Sequence, residues 1–132
     1  MKGHSLQTHR ARTLMLSYRN IRLILLSQKE IDCLRACNEC AACLQCATSC
    51  IKETDPKAMA QCIALELECA DICQLAAASI ARGGEHMKAI SALCAEVCKN
   101  CSSVCAQHAM DHCKKCAEAC KKCADACRAM AS

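Results

Sequence analysis

The sequence contains almost no aromatic residues: among 132 residues there is no Phe, no Trp and a single Tyr, Tyr18. Aromatic side chains usually supply much of the buried apolar area of a protein, so an aromatic core is excluded. Glycine and proline are also scarce, at three and one residues, which favours long uninterrupted helices. The 54% hydrophobic fraction consists largely of alanine and cysteine, which are small and leave room between facing helices.

Several classes of function have no support in the sequence. Residues 1–32 hold six Lys or Arg against two acids, and the remaining residues hold eleven of each, so no basic surface for nucleic acid is expected beyond the N-terminal segment. The apolar stretch from Leu14 to Leu26 contains Arg19 and Arg22 and lacks a cleavage-site pattern, so it predicts neither an export signal nor a membrane span. Without a phosphate-binding loop or a triad-like arrangement, we expect no enzyme activity.

Cysteine is abundant, with eighteen residues, most of them three or four positions apart. This spacing places neighbours on one helix face, at positions that leucine and isoleucine usually occupy. A disulfide between cysteines one helical turn apart would be strained, and no export signal is present, so we expect reduced thiols in a cytoplasmic protein. The four groups are Cys33, Cys37, Cys40, Cys43, Cys46 and Cys50; Cys62, Cys69 and Cys73; Cys94, Cys98, Cys101 and Cys105; and Cys113, Cys116, Cys120, Cys123 and Cys127.

The first two predicted helices meet at the only proline. Ser27 and Glu30 form a capping-box pattern that starts a helix running to about residue 54. Asp55 is then expected to act as an N-cap with Pro56 at the first helical position. The second helix runs from there to about residue 82.

Glycine marks the next boundary, where Gly83 and Gly84 end the second helix. The third helix is expected over about residues 85–107, and the fourth from a candidate N-cap at Asp111 to about residue 130. Connections this short force antiparallel neighbours, so the predicted fold is all-α, an antiparallel up-down-up-down four-helix bundle over residues 27–132. Residues 1–26 are predicted to be a separate basic amphipathic helix that packs on the bundle or on a neighbouring subunit; a membrane-surface helix is the less favoured alternative.

The first cysteine group departs from regular helical spacing. Three successive steps of three residues shift its stripe backwards by about 60° each at 3.6 residues per turn. Either the helix tightens locally, or Cys43 and Cys46 lie at the flank of the core. Some cysteines of this group would then be surface residues.

Thiolates are soft ligands that select Cu(I), Zn(II) or iron–sulfur clusters. The run Cys40-x2-Cys43-x2-Cys46-x3-Cys50 matches a bacterial ferredoxin spacing, with Ile51 in place of the usual proline, so a redox, iron–sulfur or zinc centre there is the alternative. Cu(I) fits better because two or three sulfurs suffice to bind it. Bridging thiolates would then hold on the order of one ion per cysteine, and Cu⁺ would neutralise their buried charge.

Antiparallel packing predicts that His108, His112, Met59 and Met110 gather at one end of the bundle, which we name the mouth. Imidazole and thioether bind Cu(I), so metal is expected to enter there; alternatively, the histidines only cap a turn.

Glu66, on the cysteine stripe, is interpreted either as an oxygen ligand or as a solvated charge at the core's edge. The opposite end gathers Ile80, Met87, Ile90 and Met130.

The cysteine helices carry a family resemblance. The segment from His108 to Cys127, His-Ala-Met-Asp-His-Cys-Lys-Lys-Cys-Ala-Glu-Ala-Cys-Lys-Lys-Cys-Ala-Asp-Ala-Cys, resembles the bacterial cytosolic copper storage proteins, and the resemblance covers about residues 30–130. It implies Cu(I) storage along the bundle core, uptake at one end, and a homotetramer. A copper chaperone or chelator is the expected partner, and the eighteen cysteines with His108 and His112 are the candidate metal ligands.

Overall fold

The computed structural model describes residues 25–53, 55 and 57–132. These residues form five helices and no strand, which confirms the all-α prediction. The predicted extension over residues 1–26 lies almost entirely outside the described residues. The helices are α1 (Gln28–Glu39), α2 (Ala42–Ile51), α3 (Ala60–Arg82), α4 (Met87–Cys105) and α5 (Asp111–Ala131).

The helices pack as a four-membered bundle in which α1 and α2 together form the first member. That first member packs against α3 and α5, and α4 also packs against α3 and α5. Consecutive members are joined by short connections and run antiparallel, as the up-down-up-down prediction requires. No helix within the described ranges is both long enough and apolar enough to cross a bilayer.

The first bundle member is broken, whereas the sequence predicted one continuous helix. At the break, the Cys43 amide donates to the Cys40 carbonyl at 2.9 Å and the Leu44 amide donates to the Ala41 carbonyl at 3.1 Å. These bonds span three residues instead of four, so the backbone tightens to about three residues per turn. A step of three then returns each cysteine to the same face, and Cys43 and Cys46 are 0% and 2% exposed. The local-tightening alternative is therefore correct, and the flank alternative is wrong.

The helix boundaries at the far end from the mouth match the sequence prediction. The Ser27 hydroxyl accepts from the Glu30 amide at 3.2 Å, and the Glu30 side chain accepts from the Ser27 amide at 3.5 Å, which completes the capping box. Gly83 ends α3 with φ 63° and ψ 45°, a left-handed conformation that glycine adopts without steric cost.

Two predicted helix starts are displaced. α3 begins at Ala60, and Asp55 instead accepts from the Ala58 amide at 3.4 Å in the turn before it. Pro56, predicted as the first helical residue, lies outside the described residues. Asp111 is the first residue of α5 and Met110 is its N-cap, so the expectation that Asp111 caps this helix is wrong. An acid in the first turn still stabilises the helix through its dipole.

Replacement of Gly83 by alanine should destabilise the metal-free bundle, because a residue with a Cβ pays roughly 1–2 kcal/mol in the left-handed region. We expect the melting temperature, followed by circular dichroism, to fall by several degrees. Glu85→Ala is the matched control, since Glu85 is an exposed residue of the same connection. Equal melting temperatures for wild type and Gly83→Ala would contradict the helix end described above.

Candidate metal centre

All eighteen cysteines lie in the core, each 2% exposed or less, and all are free thiols. The alternative that some cysteines of the first group are surface residues is therefore wrong. The remaining core positions are mostly alanine, with Ile80 and Met130 at the end opposite the mouth. Small alanines bring the helices close together, so sulfur atoms from different helices meet along the bundle axis.

The sulfur atoms are close enough to share metal ions. Cys43 Sγ lies 3.1 Å from the sulfur atoms of both Cys116 and Cys120, and Cys62 Sγ lies 3.2 Å from Cys105 Sγ. A metal–thiolate bond is about 2.3 Å long, so two thiolates on one ion lie at most about 4.6 Å apart. These inter-helix pairs need only small adjustments to hold an ion between them.

The thiols form overlapping sets of four whose sulfur atoms all lie within 4.8 Å of one another. Cys40, Cys43, Cys120 and Cys123 each belong to at least two such sets, so neighbouring sets have sulfurs in common. Shared ligands favour bridged clusters over separate closed sites. The sets include Cys37, Cys94, Cys123 and Cys127; Cys40, Cys73, Cys98 and Cys123; Cys40, Cys43, Cys69 and Cys120; and Cys43, Cys101, Cys116 and Cys120.

The ferredoxin-like run is divided between two places in the core. Cys40 and Cys43 join cysteines of α3, α4 and α5, whereas Cys46 and Cys50 join His112 and Cys113 near the mouth. A ferredoxin motif needs a loop that wraps one cluster, and here the run lies on α2 and the tight turn before it. The geometry therefore does not favour an iron–sulfur centre on these four residues.

Glu66 is fully buried, so its interpretation as a solvated edge charge is wrong. Its Oε1 accepts from the thiols of Cys62 at 2.9 Å, Cys46 at 3.0 Å and Cys105 at 3.3 Å. Its Oε2 is buried without a hydrogen-bond partner among the described residues. A buried carboxylate oxygen left without a partner is costly, and a bound cation would satisfy it.

The thiols around Glu66 are held in the neutral form. Burial raises the pKa of Cys50 from 9.0 to about 12, and the charge of Glu66 adds to this shift. The pKa values of Cys46 and Cys62 are also raised, first by burial and then by their hydrogen bonds to Glu66. Burial likewise raises the pKa of Cys113. Neutral thiols pack as small apolar groups, so this part of the core can form before any metal is bound.

Metal-free, reduced protein should therefore be strongly helical at neutral pH. A raised pKa in the folded state means that the folded chain holds these protons more tightly than the unfolded chain. The stability they contribute is present below about pH 9 and is lost as the pH rises towards about 12. Far-UV circular dichroism with urea titrations at pH 7 and pH 10 measures this. An unfolded spectrum at pH 7, as in metal-nucleated domains, would contradict it.

His112 lies beside the cysteines nearest the mouth. Its Nδ1 is 3.3 Å from Cys46 Sγ and 3.5 Å from Cys113 Sγ, and these groups form a four-ligand set with Cys50. Its Nε2 bonds to Glu53 Oε1 at 3.0 Å. Glu53 was not among the site residues predicted from the sequence, although its position three residues after Cys50 places it on the same helical face.

The other predicted mouth residues lie at the same end of the bundle, with different exposures. His108 is half-buried in the turn after α4, where its amide donates to the Cys105 carbonyl at 3.1 Å. The structure therefore brings His112, rather than His108, into hydrogen-bonding contact with the thiols. Met59 is 4% exposed before α3, and Met110 is half-buried before α5.

A recess of about 370 Å³ opens on the flank of the bundle between α2 and α5, close to the mouth. Gln45, Lys115 and His112 line it, together with Cys46 and Cys116 from the core. The thiol core therefore comes close to solvent beside His112 on the side of the bundle.

Comparisons with known proteins give one consistent result. The family described as "Csp: Copper storage protein" matches residues 26–132. The "uncharacterized cysteine-rich protein YhjQ" of Bacillus subtilis (strain 168) is 45% identical over 102 residues, which are 77% of this chain and 89% of that protein.

Two solved structures have the same fold. The Cu(I)-bound copper storage protein BsCsp3 is 43% identical with a TM-score of 0.76, covering 80% of this chain and all of that one. A cytosolic copper storage protein from Streptomyces lividans, loaded with five coppers, is 34% identical with a TM-score of 0.76, covering 79% of this chain and 92% of that one. The family match covers most of the sequence and all five helices, and these relatives have the same bundle. The chain described here therefore belongs to the copper storage protein family.

Proposed function

We propose that this protein stores Cu(I) in the core of its helix bundle. The observation that carries the proposal is the overlap between four-cysteine sets, which makes the thiols a continuous array along the axis. Soft thiolates bind Cu(I) with two or three sulfurs, and shared sulfurs connect one ion to the next. Family membership supports the same function, and a storage role requires no catalytic step.

Charge balance sets the proposed capacity. Each buried thiolate is costly alone, and one Cu⁺ per thiolate removes the net charge. We therefore propose on the order of one ion per cysteine, or about 18 ions per chain. The proposed ligands are the eighteen cysteines, with His112 and His108 near the mouth. Glu66 is a proposed oxygen ligand, because its Oε2 is buried beside three thiols and has no hydrogen-bond partner in the part of the chain that the structure describes.

Copper is proposed to enter and leave at the mouth. Histidine and methionine residues lie at this end, and the recess between α2 and α5 reaches Cys46 there. The opposite end is filled by fully buried Ile80 and by Met130 at 9% exposure. A copper chaperone or small chelator is the proposed exchange partner.

A cytoplasmic homotetramer is the proposed form of the protein, with residues 1–26 as an extension outside the storage bundle 27–132. The Streptomyces lividans relative is a cytosolic protein, and free thiols need a reducing compartment.

Exposed Leu75 and Leu93 lie with Ile72 and Val97 in an apolar groove on α3 and α4, a surface suited to subunit contact in the proposed tetramer. Light scattering should give about four times the 14.2 kDa chain mass.

Metal content of purified protein separates storage from the redox alternative. A storage protein should be colourless and take up many equivalents of Cu(I) from a chromophoric chelator, even with excess Zn(II) present. An iron–sulfur protein should be brown, absorb visible light and contain a few irons. Tight binding of a few Zn(II) ions that exclude Cu(I) would also contradict the proposal.

A further inference from the structure

We propose that Glu53 is a positioning residue for copper uptake: its carboxylate fixes His112 so that Nδ1 faces the thiols at the mouth as an unprotonated ligand. This inference rests on the proposed storage function. It adds a residue whose carboxylate bonds to His112 and not, among the described residues, to a cysteine thiol, so its effect passes through His112.

Both nitrogens of the His112 ring make polar contacts, Nε2 with a carboxylate and Nδ1 with thiols on the other side of the ring. Nε2 lies 3.0 Å from Glu53 Oε1, and Nδ1 lies 3.3 Å, 3.5 Å and 3.9 Å from the sulfurs of Cys46, Cys113 and Cys50. A ring held at both edges has one orientation. If the ring turned over, Nδ1 would leave the thiols and a carbon edge would replace it.

The Glu53 contact also decides which nitrogen carries the proton. A carboxylate only accepts hydrogen bonds, so the proton of the neutral ring lies on Nε2 and points towards Glu53. The Nδ1 lone pair is then directed at the cluster of thiols. A carboxylate that accepts from the far nitrogen of a metal-binding histidine is a recurrent arrangement, and its loss typically costs 10- to 100-fold in metal affinity or activity.

The position of Glu53 in the chain suits this role. It follows the C-terminus of α2, and His112 is the second residue of α5, so the contact ties together two bundle members at the mouth. Glu53 and His112 side chains are 36% and 27% exposed, which leaves the pair accessible to an arriving ion. Deeper thiols receive copper that has passed this point, so Glu53 is expected to affect the rate of uptake rather than the final capacity.

Glu53→Ala is the test, with Glu39→Ala as the matched control because Glu39 is an exposed acid at the end of α1. Long-range ¹H–¹⁵N correlation spectra of metal-free protein report which His112 nitrogen is protonated. We expect the Nε2–H form in wild type and in the control, and a mixture of tautomers in Glu53→Ala. Stopped-flow transfer of Cu(I) from a chromophoric chelator should be slower by about tenfold in Glu53→Ala, with unchanged capacity.

Glu53→Gln separates positioning from charge, since its amide oxygen still accepts from Nε2–H. We expect it to restore the wild-type tautomer and most of the rate. In a His112→Ala background, Glu53→Ala should have no further effect on the rate. Wild-type tautomer and rate in Glu53→Ala, or equal slowing with and without His112, would overturn the assignment. Failure of copper storage itself would appear separately, as low capacity in the wild type.

Discussion

Replacement of all five α5 cysteines by alanine is expected to remove at least five Cu(I) ions per chain, about a quarter to a third of the proposed store. Each of the thiol sets described above includes at least one sulfur from α5, including the set with His112 at the mouth. Because bridging thiolates bind more than one ion, loss of this row weakens the sites that the other helices contribute to. Metal per chain, counted after Cu(I) titration and gel filtration, measures the loss.

A matched variant of the same helix controls for indirect effects. Lys114, Lys121 and Lys122 lie on the exposed face of α5, and their replacement by alanine should leave capacity unchanged. Alanine favours helix, so both variants should keep their far-UV spectra. Wild-type capacity in the five-cysteine variant would mean that a few sites elsewhere hold the copper, contrary to the continuous array.

The double variant His108→Ala with His112→Ala should take up and release Cu(I) about tenfold more slowly, which corresponds to about 1.4 kcal/mol in the barrier. Its capacity should stay within one or two ions of wild type. His112 Nδ1 lies 3.3 Å from Cys46 Sγ, so it is placed to pass ions from the surface to the first thiols. The deeper thiolates determine the equilibrium, and they are intact in this variant.

A variant at the other end tests the direction of uptake. Ile90→Phe adds bulk beside the end that contains fully buried Ile80, and it should leave both rates unchanged if circular dichroism shows that the fold is retained. Stopped-flow transfer to a chromophoric chelator gives both rates. Normal kinetics in the histidine variant together with slow kinetics in Ile90→Phe would move the mouth to the opposite end.

Much of the bundle is predictable because its signals are local. The three-and-four spacing of cysteine places the core face, and the Ser27 capping box and Gly83 mark helix ends through contacts within one turn. The tight turn at Cys40 was one of two alternatives that the irregular cysteine spacing left open. Either the helix tightens locally, or some cysteines move to the flank of the core. The structure decides between them through hydrogen bonds that span three residues.

The environment of the polar site residues was not predictable from spacing. Glu66 is buried because thiols of three different helices surround it, and a single helical stripe does not reveal that enclosure. Glu53 reaches His112 across 59 positions of sequence. Such contacts depend on how two helix ends meet, which the periodicity of either helix does not determine. Which of His108 and His112 contacts the thiols also depends on how the helix ends meet, so the sequence did not distinguish between them.

The most direct test of copper storage in the bundle core is a Cu(I) titration of metal-free, reduced wild type against a strong chromophoric chelator, with copper counted per chain. The thiol array predicts that the protein outcompetes the chelator until about 18 ions are bound, on the order of one per cysteine. Saturation below about six ions would be the result expected of a few closed sites, and it would contradict the continuous store.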